Sequence, residues 1–273
     1  MLSDLIEVSD LSPRSLFDLS GSRVAVTGGL GLIGSAVAQS MIHAGTLLVV
    51  LDQAIDRWAP FVDELPQSER AQARFIPANM GEPVLAGEAV KTAAQALGGL
   101  DVWIGCAYPR TPGWGQRPEL DEPGFWQSNV TMQLTATCVA ATEAAKLMAQ
   151  SGGGAIINVA SIYGVVGPDF SIYGDEPGVC AAPYAAIKGG LINHTRYLAS
   201  YFGRHGVRAN VICPGGVFDR QDPQFVERYC GRTPLGRMAE PADLVGAFHF
   251  LASKAASYIT GATIMVDGGW TAT

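Results

Sequence analysis

Charge is scarce in this 273-residue sequence. Asp, Glu, Lys and Arg make up 16% of it, and 25 acids outnumber 18 bases for a net charge of −7. No basic stretch is present to neutralise phosphates, which argues against a nucleic-acid partner. Histidine is rarer still: His43, His194, His205 and His249 show no metal-ligand spacing, so no metal site is expected. The five cysteines, Cys106, Cys138, Cys180, Cys213 and Cys230, are odd in number and form no C-x-x-C pair. They speak for reduced thiols in a cytoplasmic protein and against a disulfide framework. The opening MLSDLIEVSD lacks the basic end and apolar centre of a signal peptide, and no apolar run approaches membrane-spanning length.

Apolar side chains are abundant, at 48% of the residues, and they come in a regular order. β-Branched runs recur at 23–28, 46–52, 73–78, 100–107, 154–161, 207–215 and 262–269, with helical spacing between them, as in IGSAVAQSMIHAG and MAEPADLVGAFHFLAS. Strands without a polar face, alternating with helices, predict a doubly wound parallel α/β sheet in a single domain spanning 16–273. Residues 1–15 precede the pattern and read as a peripheral extension. Two helical stretches, 127–150 and 184–202, are apolar or small almost all round. The sheet can cover only one side of each, so a symmetric subunit contact, giving a homodimer or homotetramer, is expected.

A glycine-rich turn falls between the first strand and the first helix. Gly29, Gly31 and Gly34 satisfy G-x-G-x-x-G, while Thr27, Gly28, Gly31 and Gly34 satisfy T-G-x-x-G-x-x-G. Residues without side chains let backbone amides approach a pyrophosphate at a helix N-terminus, where the dipole also favours an anion. Asp52 closes the second run, 24 positions after Gly28, where a carboxylate can accept from ribose hydroxyls and repel a 2′-phosphate. The following QAID offers no adjacent arginine, and Arg57 reads as too far along to bind that phosphate. NAD is therefore expected in preference to NADP. In CAAPYAAIKGG, Tyr184 and Lys188 are four apart and share a helical face, so the ammonium can reach the neighbourhood of the phenol. A phenol has a pKa of about 10, and a fixed cation stabilises its phenolate.

With Ser161 at the end of the fifth run, these residues make the sequence resemble the short-chain dehydrogenase/reductase family, from Phe17 to near the C-terminus. FDLSGSRVAVTGG, NVICPGGV and the closing LGRMAEPADLVGAFHFLASKAASYITGATIMVDGGW are each similar to family segments. The resemblance implies a Rossmann-type fold and an oxidoreductase. Tyr184 would be the general acid/base, Ser161 a hydrogen-bond partner of the substrate oxygen, and Lys188 a ribose ligand that lowers the tyrosine's pKa. It also implies cofactor contacts at Gly28, Gly31, Leu32, Ile33, Gly34, Asp52, Asn79, Met80, Ala107, Tyr184, Lys188, Pro214 and Val217.

Three departures stand out. Gln133 occupies the place of the family's relay asparagine, with Asn129 one turn earlier. Gly105-Cys106-Ala107-Tyr108 replaces Asn-Asn-Ala-Gly, bringing Tyr108 and Arg110 to the sheet's carboxyl edge as substrate contacts or as plain loop residues. Ser161 and Tyr184 are 23 positions apart, and the insertion 162–183 carries Tyr163, Asp169, Tyr173, Asp175 and Glu176. Those side chains suit a small polar, hydroxyl-rich substrate such as a sugar, and SIYG resembles members found with bacterial surface-sugar biosynthesis. In the other wall, 218–238, Arg220, Arg228 and Arg232 read equally as anion ligands or as a solvated face. An NAD-dependent alcohol/ketone oxidoreductase leads. A ketoacyl or steroid-type reductase, a non-catalytic NAD(H) sensor, and an epimerase or dehydratase are the alternatives.

Overall fold

The computed structural model describes residues 12–174 and 178–273. Each β-branched run forms a strand: β1 (Arg23–Thr27), β2 (Leu47–Asp52), β3 (Ala73–Pro77), β4 (Val102–Gly105), β5 (Gly154–Val159), β6 (Val207–Pro214) and β7 (Thr263–Val266). They pair in parallel as one seven-stranded sheet in the order β3-β2-β1-β4-β5-β6-β7. Alternate residues feed two cores. Val24, Val26, Leu48, Val50 and Ile104 point to one face, and Ala25, Val49, Leu51 and Trp103 to the other. Because both faces are covered, the strands need no polar side, which explains their unbroken apolar sequence.

The helices are α1 (Pro13–Leu16), α2 (Leu32–His43), α3 (Trp58–Glu64), α4 (Pro83–Leu97), α5 (Pro123–Asn129), α6 (Ala136–Gln150), α7 (Ala182–Phe202), α8 (Pro223–Arg232) and α9 (Pro241–Ala252). α2 and α9 cover the first face through Val37, Met41, Ile42, Leu244, Phe248 and Leu251. α4, α6 and α7 cover the second, with an alanine stripe (Ala140, Ala141, Ala144, Ala145) that lets α6 lie close to the strands. Each large aliphatic side chain buried this way contributes roughly 1.5–3 kcal/mol.

The stretch expected as one helix over 127–150 begins earlier, at Pro123, and is not uniform. A proline suits a first helical turn because its missing N–H would find no partner there. Between α5 and α6 lies a π-helical stretch, Val130–Thr135. The same proline rule starts α7 at Ala182, ahead of the expected 184. Residues 1–11 of the expected extension lie outside the described part. Its end is the short α1, and Phe17 just after it packs its ring 6.3 Å from that of Phe250.

Strand order reverses between β1 and β4. In such sheets the crevice at the carboxyl ends beside the reversal is where ligands bind. Gly28 follows β1 and Ala107 follows β4, so the glycine turn and the departing loop 106–110 flank that crevice.

Candidate active site

The glycine turn is built by close backbone approach. Thr27 Oγ1 accepts from both Cys106 N and Ala107 N at 3.1 Å, drawing the ends of β1 and β4 together. Gly28 has φ 62°, and a Cβ there would lie 2.8 Å from Ala107 Cα. A Cβ on Gly34 would lie 2.0 Å from the Gly28 carbonyl oxygen, so neither position tolerates a side chain. α2 then starts at Leu32, with Gly31 as N-cap and no side chain capping it. Its first-turn N–H groups are left without intrahelical partners beside the cleft, the arrangement a pyrophosphate satisfies.

That cleft has a volume of about 530 Å³. Gly28, Gly31, Leu32, Ile33, Gly34, Asp52, Asn79, Met80, Ala107 and Val217 all line it. Asp52 is tied down by the backbone: Oδ2 accepts from Leu30 N and Oδ1 from Ala54 N, each at 3.0 Å. One finding departs from the sequence reading. The chain folds Arg57 back toward the glycine turn. Its guanidinium donates to the Leu30 carbonyl at 3.4 Å and lines the same cleft as Asp52. A short 3₁₀ turn, Ile55–Arg57, shortens the path that an extended count from Asp52 suggests.

Next to this cleft is a second cavity of about 370 Å³, and the two share Ile33, Cys106, Tyr108, Val217 and Gln221. Ser161, Tyr184, Lys188 and Pro214 line this second cavity. Ser161 follows β5, and its Oγ accepts from Tyr163 N at 3.2 Å. Tyr184 and Lys188 stand on successive turns of α7. Lys188 Nζ donates to the Val159 carbonyl at 2.9 Å and sits 5.5 Å from the centre of the Tyr184 ring and 5.3 Å from that of Tyr108. Burial pushes the Tyr184 phenol up to about 12, with Ser161 pulling the other way through a hydrogen bond. Burial likewise pushes the Lys188 ammonium down to about 8. Desolvation, not the expected stabilisation by Lys188, therefore dominates the phenol.

Rings surround Tyr184. Tyr108, Trp114 and Tyr163 meet it edge-on, with centroids at 5.7, 6.0 and 6.5 Å. Tyr173 from the insertion and Phe225 from α8 extend the aromatic wall, their centroids 5.4 Å apart. Tyr229 stacks on Trp270 at 4.4 Å, and its hydroxyl accepts from Gly216 N. Burial raises the phenols of Tyr108, Tyr163 and Tyr173, keeping all three neutral.

Two of the arginines picked out in the α8 wall bind the insertion. Arg228 donates to the carbonyls of Ile172 at 2.7 Å and Tyr173 at 3.4 Å, and Arg232 pairs with Asp169 at 3.0 Å. They fasten α8 to the insertion, so neither original reading of these two arginines describes them fully. Arg220 does not line the cavity and holds a left-handed backbone, φ 56°. Arg110 lies over the Tyr108 ring at 5.4 Å and faces the first cleft. Asp175 and Glu176 lie outside the described residues.

Gln133 lines neither cavity. It is buried in the π-helical stretch, where Nε2 donates to Asn129 Oδ1 at 3.4 Å and Oε1 finds no protein partner. Asn129 donates to Thr111 Oγ1 at 2.8 Å, so the pair braces the loop that carries Tyr108 and Trp114. Sequence reasoning missed Phe225 and Tyr229, although their four-residue spacing puts both on one face of α8. Trp114 gave no signal.

Residues 31–271 match a family model described as enoyl-(acyl carrier protein) reductase. L-rhamnose-1-dehydrogenase of Scheffersomyces stipitis is 30% identical over 261 residues, covering 92% of this chain and 96% of that protein. Cis-4-hydroxycyclohexanecarboxylate dehydrogenase of Sinomonas cyclohexanicum is 32% identical over 262 residues, covering 92% and 97%. Among solved structures, a short-chain dehydrogenase from Leptospira borgpetersenii with bound NAD+ superposes with TM-score 0.80 at 31% identity, covering 92% of this chain and 93% of that one. A gluconate 5-dehydrogenase from Burkholderia cenocepacia in complex with NADP and tartrate superposes with TM-score 0.81 at 27% identity, covering 94% and 98%.

The chain belongs to the short-chain dehydrogenase/reductase family. It is an oxidoreductase that acts on CH–OH groups with a nicotinamide cofactor, and no described helix is long and apolar enough to cross a membrane.

Proposed function

We propose that this enzyme interconverts a secondary alcohol and a ketone on a small polar, sugar-like substrate, with NAD(H) as the preferred cofactor and Tyr184 as the acid/base. The observation that carries the reading is the convergence of Ser161, Tyr184 and Lys188 on a cavity that shares a wall with the cleft over the glycine turn. A bound nicotinamide supplies or takes up the hydride. For the alcohol to become a ketone, its carbinol C–H bond breaks as a hydride while its O–H proton passes to the Tyr184 phenolate; in the reverse direction the phenol returns that proton to the carbonyl oxygen. Ser161 donates to the same oxygen and fixes its place. Lys188 stands close enough for its charge to favour the phenolate as it forms.

The preference for NAD rests on Asp52, whose carboxylate repels a 2′-phosphate. Arg57 in the same cleft offsets that repulsion, so the preference is modest. A homo-oligomer is supported by apolar side chains left uncovered on the two helices that lack a polar face: Val139 is 40% exposed, Tyr197 59% and Tyr201 51%. Five unpaired thiols support a cytoplasmic setting.

Turnover with NAD+ and NADP+, followed by absorbance over a panel of sugars, polyols and hydroxy acids, tests the reading. The Tyr184→Phe variant is expected to lose at least about a hundredfold in kcat. A variant as active as the wild type would remove Tyr184 from its role. Tight NADH binding with no turnover of any alcohol would favour the sensor reading.

A further inference from the structure

From the side chains that line the second cavity we infer that its substrate is an uncharged six-membered ring carrying hydroxyl groups, a pyranose or its carbocyclic counterpart. Open-chain hydroxy acids are excluded from it. This inference rests on the oxidoreductase reading above and narrows it.

Two observations carry it. The first concerns charge. Among the described residues lining the cavity, Lys188 is the sole charged side chain. Its ammonium is already engaged by the Val159 carbonyl and by two aromatic rings. Of the arginines nearest in sequence, Arg228 and Arg232 are committed to the insertion, Arg110 faces the first cleft, and Arg220 is exposed and does not line the cavity. A carboxylate entering this space would give up its hydration for no countercharge except the one that serves Tyr184, a desolvation cost without return.

The second concerns shape. Tyr108, Tyr163, Tyr173 and Phe225 come from three separate segments and line the cavity together with Ser161 and Tyr184. The Tyr108 ring already lies against Lys188 and Arg110, which leaves Tyr163, Tyr173 and Phe225 to meet a ligand. Flat aromatic faces are matched by the C–H faces of a closed ring, which is rigid before it binds. An open polyol must lose several rotamers to offer the same surface. Besides Ser161 and Tyr184, the polar groups on the wall are the neutral phenols of Tyr108, Tyr163, Tyr173 and Tyr229, which suit the hydroxyls of a ring, while the amide of Gln221 is spent on the backbone of Val217 and Asp219.

The test compares kcat/KM for matched probes: L-rhamnose against galactitol for ring closure, and cyclohexanol against cis-4-hydroxycyclohexanecarboxylate for charge. The ring and the neutral probe are each expected to lead by about tenfold or more, a difference of the size that pocket contacts produce. Phe225→Leu is expected to narrow the ring preference, and Phe225→Tyr to keep it, which separates lost stacking from a damaged fold. Equal turnover of the carboxylate and the neutral alcohol, or galactitol surpassing L-rhamnose, overturns the inference. If no probe turns over, the sugar-like substrate reading of the proposed function is what fails. Calorimetric binding of cyclohexanol and of the carboxylate, both in the presence of NADH, then still decides the charge preference.

Discussion

Replacing Lys188 with methionine is expected to stabilise the protein near neutral pH while abolishing its activity. Lys188 is only 7% exposed, and burial moves its pKa from 10.5 to about 8. At 1.36 kcal/mol per pH unit, holding the charge inside costs roughly 3 kcal/mol at pH 7. The folded pKa lies below the unfolded one, so between about pH 8 and 10.5 the unfolded chain binds the proton that the folded chain has released. Stability therefore rises with pH across that window, and the full cost stands below it. Methionine has similar length and no charge, so it removes the pH-dependent cost. It also forfeits the hydrogen bond to the Val159 carbonyl, worth about 1.5–3 kcal/mol for a charged donor. The absolute gain at pH 7 is thus small, on the order of 1 kcal/mol once that loss is set against the cost. The change in the gap is larger: between pH 7 and pH 10 the wild type should gain about 2 kcal/mol on the variant. Urea denaturation of both proteins at the two pH values, at equal protein concentration, measures this directly, and other titrating groups cancel in the difference. A gap that stays constant with pH, or one that moves in the variant's favour, would refute the claim that Lys188 is held as a desolvated cation.

Two further outcomes follow from the cleft and the surface. Arg57→Ala should weaken NADP+ more than NAD+, raising the NAD+/NADP+ ratio of kcat/KM by about tenfold, the size of one lost exposed ion contact plus a hydrogen bond; an unchanged ratio would place the guanidinium outside the nucleotide's reach. Tyr197→Glu combined with Tyr201→Glu should lower the mass measured by sedimentation to that of one chain without unfolding it. A mass already equal to one chain in the wild type, or one unaffected by the pair, would refute the proposed contact across α7.

The strand runs were legible because strands covered on both faces leave a continuous aliphatic record; Val24–Thr27 and Leu48–Leu51 could be little else. The glycine turn was legible because steric exclusion leaves only one residue type at Gly28 and Gly34. Arg57 was not, since whether a long side chain reaches back depends on a three-residue turn that carries no pattern. Nor were the duties of Arg228 and Arg232. A sequence shows that a cation is present, but the carbonyls of Ile172 and Tyr173 become its partners only once the insertion has folded over α8. The aromatic wall was half visible: Tyr163 and Tyr173 announced themselves inside an insertion, while Trp114 arrives from a loop whose path is set by Thr111 and Asn129.

The π-helical stretch at Val130–Thr135 has a consequence for how this helix can change over time. A π turn holds one residue more than an α turn, so the segment before it is rotated by about 100° relative to where an unbroken helix would leave it. α6 must keep its alanine stripe against the sheet, and Asn129 must keep facing Thr111. The surplus residue is what lets one continuous helix obey two phases at once. Its loss would leave the composition nearly unchanged and would improve the local hydrogen bonding. Yet it would turn the end of the helix that steadies the substrate loop away from that loop. At this point a single-codon deletion should do more harm than most substitutions, because it would turn Asn129 away from Thr111.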